Sequence, residues 1–214
     1  KAWDVTCNFT TMPCRHRFFD NLIPNQDKVK FLFLGTFNPS WNALNGNNAD
    51  YFYGRATSLF WCICPHAFND NCLIDKGLNE WLVFCNKHHI GLTDIIKDIT
   101  NANPQDERHV GLLTSGFEDK NLDLKENRQF IFNLELNTGD ITNFITERQG
   151  ELRGVFFTRK SHNDIPRIWE QWLTIKRHCE NLNIYNAALP TPSTRGGAIR
   201  DKIFTWRQEI QNCM

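Results

Sequence analysis

The stretch Lys30-Phe31-Leu32-Phe33-Leu34-Gly35-Thr36-Phe37-Asn38-Pro39-Ser40 decides how this chain folds. Its first half is a nearly continuous apolar run, and its second half is loop chemistry. A short apolar run bounded by Gly and Pro reads as a strand buried on both faces, the pattern of a parallel sheet. Lys28 to Phe37 is therefore read as a buried strand ending near Gly35. The same design recurs at the other end. Ile184 to Leu189 reads as a strand, and Leu189-Pro190-Thr191-Pro192-Ser193-Thr194-Arg195-Gly196-Gly197 is the loop that follows it. In parallel α/β sheets such loops lie at the carboxyl ends of strands, where ligands bind.

Working outward, residues 1–27 read as an irregular N-terminal segment that docks Phe18, Phe19, Leu22 and Ile23 on the core. Asn42 to Asp50, rich in Asn and Gly, is a surface loop. Thr57 or Ser58 caps a helix carrying Leu59, Phe60, Trp61 and Ile63, which Pro65 limits. Gly77 to His88 is a second helix, with Leu78, Trp81, Leu82 and Cys85 on one face and His88, His89 and Gly91 marking its end. After the segment Gly91 to Ile99 comes a polar loop from Thr100 to about Asn121, then an alternating strand from Phe130 to Leu136. Asp140 caps a helix to about Arg148, and Gly154 to Thr158 is a short buried strand. Asp164 to Leu182 is an amphipathic helix with Ile168, Trp169, Trp172 and Ile175. The last helix carries the stripe Ile199, Ile203, Trp206 and Ile210. Strands alternate with helices and no hairpin signal dominates. This predicts one α/β domain over residues 1–214, a three-layer α/β/α sandwich around a mainly parallel sheet.

With 24 Lys and Arg against 24 Asp and Glu, the formal net charge is zero. A general basic excess for nucleic acid is thereby excluded, while a local basic patch is sufficient for such a partner. No run of about 18 apolar residues is present, so no membrane helix is expected, and no signal peptide is visible. The eight cysteines contain no CxxC pair. They are read as reduced structural thiols rather than disulfides or metal ligands, with Cys62 and Cys64 packing as small hydrophobes, and this fits a cytoplasmic protein. His88-His89 reads as a helix terminus, and His66 as a loop residue with no role.

Several segments, taken in order, resemble the uracil-DNA glycosylase superfamily, and within it the hypoxanthine-DNA and mismatch-specific glycosylase branch. His16 to Pro24 followed by Lys28 to Pro39 resembles that branch's opening, a His-x-Phe and Ile-Pro segment and then a strand ending in Gly-Ser/Thr-Phe-Pro. Tyr53-Gly54 with Phe60-Trp61 resembles its Tyr-Tyr-Gly-His-Pro-x-Asn-x-Phe-Trp motif, and Gly91-Leu92-Thr93-Asp94-Ile95 its Gly-Leu-Trp-Asp-Val. Leu189-Pro190-Thr191-Pro192-Ser193, with Lys202 and Trp206-Arg207, resembles its Leu-Pro-Ser-x-Ser-Pro loop and closing helix. The resemblance implies a four-stranded parallel sheet, no cofactor, and a monomer that excises a deaminated or mismatched base from damaged DNA; the alternatives are a catalytically inactive nucleic-acid-binding member of the same fold and a glycosidase acting on a nucleoside or modified base. Two slots differ: Phe37 stands two residues after Gly35, where the family often has Asp or Asn, and Ser58 stands in the Asn slot of a segment reading Arg55-Ala56-Thr57-Ser58.

Breaking an N-glycosidic bond builds positive charge on the sugar and negative charge on the leaving base. The base must first be extruded from the stack. Asn38 is the candidate to orient a water, its alternative being a simple turn with Pro39; Asp94 and Ser58 are the other catalytic candidates, each with a helix or turn cap as its alternative. Gly35, Thr36, Phe37, Tyr53 and Thr158 are the base-binding candidates, with Phe37 either stacking on the base or packing in the core. Ser40, Arg159, Lys160, Pro190, Thr191, Ser193, Thr194 and Arg195 are the candidates for DNA contact, because a loop running into a helix N-terminus offers N–H groups, hydroxyls and a cation to phosphate. No metal ligand set is expected.

Overall fold

The computed structural model describes residues 13–214, so Cys7 and the first twelve positions of the N-terminal segment lie outside the described residues. The protein is mixed α/β, with six α-helices among the described residues. The strand Phe31–Gly35 (β2; a short β1, Cys14–Arg15, precedes it) is the centre of a four-stranded sheet. It pairs on one side with Ile90–Asp94 (β3) and on the other with Gly154–Phe157 (β8), which pairs with Tyr185–Ala188 (β9), and all these pairings are parallel. A smaller antiparallel sheet joins β1, Ile96–Ile99 (β4) and Leu134–Leu136 (β7). Lys125–Glu126 (β5) and Gln129–Phe130 (β6) make a two-stranded ribbon, so the strand expected from Phe130 to Leu136 is two pieces in two sheets.

Every residue of β2 is buried, as the apolar run predicts. Alternation along the strand splits it between two cores. Phe31 and Phe33 pack with residues of Phe60–Ala67 (α1), Leu78–His88 (α2) and Ile199–Gln211 (α6). Leu32 and Leu34 pack with residues of Thr138–Glu147 (α4) and Pro166–Asn181 (α5). Phe33 is fully enclosed, its ring stacked 5.1 Å from Phe156 and 5.6 Å from Trp206. The stripe predicted for α6 buries Trp206 and Ile210 but leaves Ile199 44% exposed; Lys202 is buried in its place.

Pro65 does not limit α1 but lies inside it, so His66 is helical rather than on a loop. Proline has no N–H to give to the carbonyl four residues back, that of Trp61. Leu73 fills the vacancy, its N–H donating to Trp61 O at 2.7 Å, and its own carbonyl accepts the Trp81 indole N–H at 2.8 Å. This folds the segment after α1 back along it and brings Cys72 to Cys62, where the two form a disulfide. The reading of Cys62 as a packed thiol is corrected by this pairing, while Cys14, Cys64, Cys85 and Cys179 are free and buried. On α2 the inward face is Trp81, Phe84 and Cys85; Leu78 and Leu82 are exposed, and the helix ends on His89 in a left-handed conformation at φ 56°.

The expected polar loop from Thr100 to Asn121 is substantially structured. Asp106 caps the helix Glu107–Leu113 (α3), accepting from the N–H groups of Arg108 and His109 at 2.9 and 3.2 Å. A 3₁₀ turn, Asp119–Asp123, follows. It is held by Asn121, which donates to Leu112 O and Gly116 O, and by Arg167, which pairs with the buried Asp123 at 2.5 Å. Removing the aromatic ring at the sheet centre tests this architecture. Phe33→Ala is expected to lower unfolding free energy by about 3–5 kcal/mol in urea titrations, whereas Leu44→Ala, at a side chain 97% exposed, changes it by less than about 0.5 kcal/mol.

Candidate functional site

The chain leaves β2 to form β3 on one side and later crosses to the other side to form β8. The strand order therefore reverses beside β2, and the loops leaving β2 and β8 diverge there, the place where open α/β sheets bind ligands. A cleft of about 430 Å³ opens at this point. Its floor comes from strand ends in register: Gly35 faces Asp94, and Leu34 faces Phe157, the residue before Thr158. Asn38, Ser58, Asp94, Thr36, Phe37, Tyr53, Arg159, Thr191, Ser193, Thr194 and Arg195 also line it. Thirteen of the sixteen sequence-predicted residues thus share one cavity. Lys160 and Pro190 line an adjoining groove, and Ser40 turns away, its N–H donating to Arg15 O at 2.9 Å.

Asp94 is the centre of the floor. Its carboxylate is 2% exposed, and Oδ2 accepts from His16 Nε2 at 2.7 Å and from Asn38 Nδ2 at 2.9 Å. The histidine tautomer follows from the far side of the ring: the Phe18 N–H donates to Nδ1 at 3.0 Å, so the ring proton sits on Nε2 and points at Asp94. The imidazole is clamped between Phe18, Phe37 and Phe52, with ring centroids 5.6 to 5.8 Å away. Asp94 Oδ1 makes no hydrogen bond among the described residues and lies on the Gly35 side, where a Cβ at Gly35 would stand 2.3 Å from it. Glycine at this position is thus required by the close approach of the carboxylate, and not only by the loop that follows.

Tyr53 closes the floor from above. It adopts φ 59°, a strained conformation for a non-glycine residue, and its ring stacks on Phe60 at 4.1 Å. Thr158 Oγ1 donates its only proton to Leu34 O at 3.0 Å, so the Tyr53 phenol must donate to Thr158, also at 3.0 Å. Burial, with Asp94 nearby, holds this phenol well above its usual range, and it remains protonated. Ser58 lines the cavity as a brace of its wall: its Oγ accepts from the Phe60 N–H at 3.3 Å, and its backbone forms a bridge to Ser193. Phe37 is 3% exposed and packs edge-on to Phe117, so it is chiefly a wall of the core.

Of the cations expected to meet DNA, Arg159 is committed, Arg195 makes an exposed pair, and Lys160 makes no ion pair among the described residues. Arg159 pairs with Asp119 at 2.7 Å and with both oxygens of Asp164, and Arg195 pairs with Glu118 at 2.9 Å. Thr36 is bonded to Asp119 as well. Lys202 anchors the loop after β9, donating to Ser193 O at 2.8 Å and Arg195 O at 2.6 Å. Arg55 differs from these. Its guanidinium lies 4.8 Å above Phe117, it has no carboxylate partner among the described residues, and its buried Nε is unpaired. Burial, with Arg17 nearby, pulls its pKa below the usual arginine range, yet arginine still carries its charge at neutral pH.

Sequence reasoning missed Arg55, Asn47 and the wall Ser115 to Asp119 as cleft residues, and gave His16 no role. Asp106 with its N-terminal cap was the available signal for the wall. The pairing of His16 with Asp94, 78 residues apart, leaves no trace in spacing. The pairing itself can be measured. In a double-mutant cycle on His16→Ala and Asp94→Ala, a coupling energy of about 1.5–3 kcal/mol is expected, the size of a hydrogen bond to a charged group. Gly35→Ala is expected to destabilise the fold by about 1–3 kcal/mol through overpacking against the carboxylate. No protein-family model, curated protein or solved structure matches this chain, and the site therefore stands on its own geometry.

Proposed function

We propose that this protein is a DNA base-excision glycosylase that hydrolyses the N-glycosidic bond of a flipped deaminated or mismatched base, with a uracil-DNA glycosylase-like three-layer fold and no cofactor. The observation that carries the reading is Asp94: a buried carboxylate, fixed by two donors on one oxygen, with the other oxygen at the floor of a cleft of about 430 Å³, ample for a nucleotide. An oxygen so placed accepts a proton from a water attacking the anomeric carbon and stabilises positive charge on the sugar. The C1′–N bond breaks with its electron pair leaving on the base, the water oxygen bonds to C1′, and the water proton passes to Asp94. Asn38 serves this scheme by holding Asp94 through one amide N–H, which leaves its carbonyl oxygen and second N–H to orient the water. The uncommitted Arg55 offers charge to the departing base anion or to a flanking phosphate.

A second reading, hydrolysis of a nucleoside or modified base without a duplex, is favoured by the pairing of Arg159 and Arg195 with carboxylates, which leaves little positive charge for a phosphate backbone. The partner in the first reading is damaged DNA, bound by a monomer. No helix among the described residues is long and apolar enough to cross a membrane; the buried free thiols favour a cytoplasmic setting, and the Cys62–Cys72 disulfide weighs against it.

Duplexes carrying uracil, hypoxanthine, xanthine or a G·T pair, scored for abasic sites, test the proposal. Asp94→Asn is expected to slow release by roughly 10²- to 10⁴-fold, Asn38→Ala by roughly ten- to a hundredfold through the lost bond to the carboxylate, and Ser58→Ala hardly at all. Binding without cleavage by the wild type would sink the enzymatic reading, and hydrolysis of free nucleosides alone would select the second.

A further inference from the structure

Away from the cleft, the described residues contain one grouping of side chains with metal-ligating chemistry. Cys62 and His66 stand four residues apart on α1, hence on one helical face, and Cys72 comes from the segment that folds back along it. The two sulfurs and one imidazole nitrogen all lie within 4.8 Å of one another, and all three residues are half-buried. A tetrahedral Zn²⁺ with Zn–S near 2.3 Å and Zn–N near 2.0 Å needs its ligand atoms about 3.5–3.8 Å apart, a spacing that small side-chain rotations reach.

We propose that Cys62, His66 and Cys72 form a redox-gated zinc site: closed to metal as the disulfide, and able to bind one Zn²⁺ once the disulfide is reduced. The site is prearranged by bonds that do not involve sulfur. Leu73 N–H to Trp61 O and Trp81 Nε1–H to Leu73 O hold Cys72 against α1 whether or not the disulfide exists. The stacking of Trp61 on Trp81 at 4.7 Å stiffens the same corner. The His66 imidazole makes no hydrogen bond among the described residues, while its carbonyl is held by Arg207 at 2.6 Å. Asp70 is the nearest carboxylate in sequence but is taken by Lys87 and His88, so the fourth position falls to water. Two thiolates and an imidazole suit a borderline-soft ion and not Mg²⁺ or Ca²⁺.

The chemistry balances with a small-molecule thiol as reductant. Two reductant thiols give their hydrogens to the Cys62 and Cys72 sulfurs and become one disulfide, and Zn²⁺ binding then displaces two protons from the new thiols. The site is independent of the glycosylase reading.

The test uses the full chain, reduced and freed of reductant under anaerobic conditions, and titrated with Co²⁺ as a spectroscopic probe and then with Zn²⁺. One equivalent of Co²⁺ should give a thiolate-to-cobalt charge-transfer band with tetrahedral visible absorption, and Zn²⁺ should abolish both. The band should be absent from the oxidised protein and from Cys72→Ser, and weakened in His66→Ala. If Cys72→Ser does not fold, alkylation of the wild type with and without Zn²⁺ serves instead: Zn²⁺ should newly protect Cys62 and Cys72. A fully reduced, folded wild type without the band overturns the proposal, as does a band that persists in Cys72→Ser or protection that falls on other cysteines.

Discussion

A carboxylate removed from water must be hydrogen-bonded, and much of this structure is arranged around meeting that requirement for Asp94. Its two donors come from distant parts of the chain, His16 from the N-terminal segment and Asn38 from the loop after β2. The N-terminal segment is therefore bound into the site. Its β1 pairs with β4, and the His16 N–H donates to Lys97 O at 2.9 Å. Asn38 O in turn accepts the Arg17 N–H at 2.7 Å, so the two donor-bearing segments also hold each other. The aromatic cage around His16 excludes water from these bonds and strengthens them.

The same economy governs the cleft walls. Charges at its rim are matched within the protein: Asp119 and Asp164 on Arg159, Glu118 on Arg195, Asp123 on Arg167. These pairs order the segment Ser115 to Asp123, which has few apolar anchors of its own. These pairs set four carboxylates against three guanidinium groups, so the rim carries no excess of positive charge. It confines the unbalanced positive charge of the cavity to Arg55, next to the face of Phe117. The cleft thus combines a buried carboxylate at its floor with one cation on its wall that has no carboxylate partner among the described residues.

Much of the framework was legible in the sequence because it depends on local pattern. The apolar run Phe31 to Leu34 ending at Gly35, the run Gly154 to Phe157, and the spacing of Ile168, Trp172 and Ile175 each report burial directly, and each element forms inside the bounds read for it, shorter at its ends. Errors arose where a residue's effect is nonlocal. Pro65 reads as a helix limit, yet it is tolerated because Leu73 supplies the missing donor. Cys62 reads as a small hydrophobe, since nothing in its spacing shows that the chain returns Cys72 to it. The polar composition of Thr100 to Asn121 hides a helix and a 3₁₀ turn that side-chain hydrogen bonds, not apolar contacts, hold in place.

What the sequence determined by itself is three of the four strands of the parallel sheet, the longer helices, and the position of the loops that follow Gly35, Phe157 and Leu189, because periodicity and Gly/Pro punctuation are local properties of the chain. What only the tertiary structure decided is which polar groups meet: that the Asp94 carboxylate lies at the floor held by His16 and Asn38, that Ser58 and Lys202 brace the loops, that Arg159 and Arg195 are already paired, and that Cys62, His66 and Cys72 converge. Hydrogen bonds and ion pairs between residues tens of positions apart depend on sheet order and register, and a single chain read from end to end carries no direct signal of either.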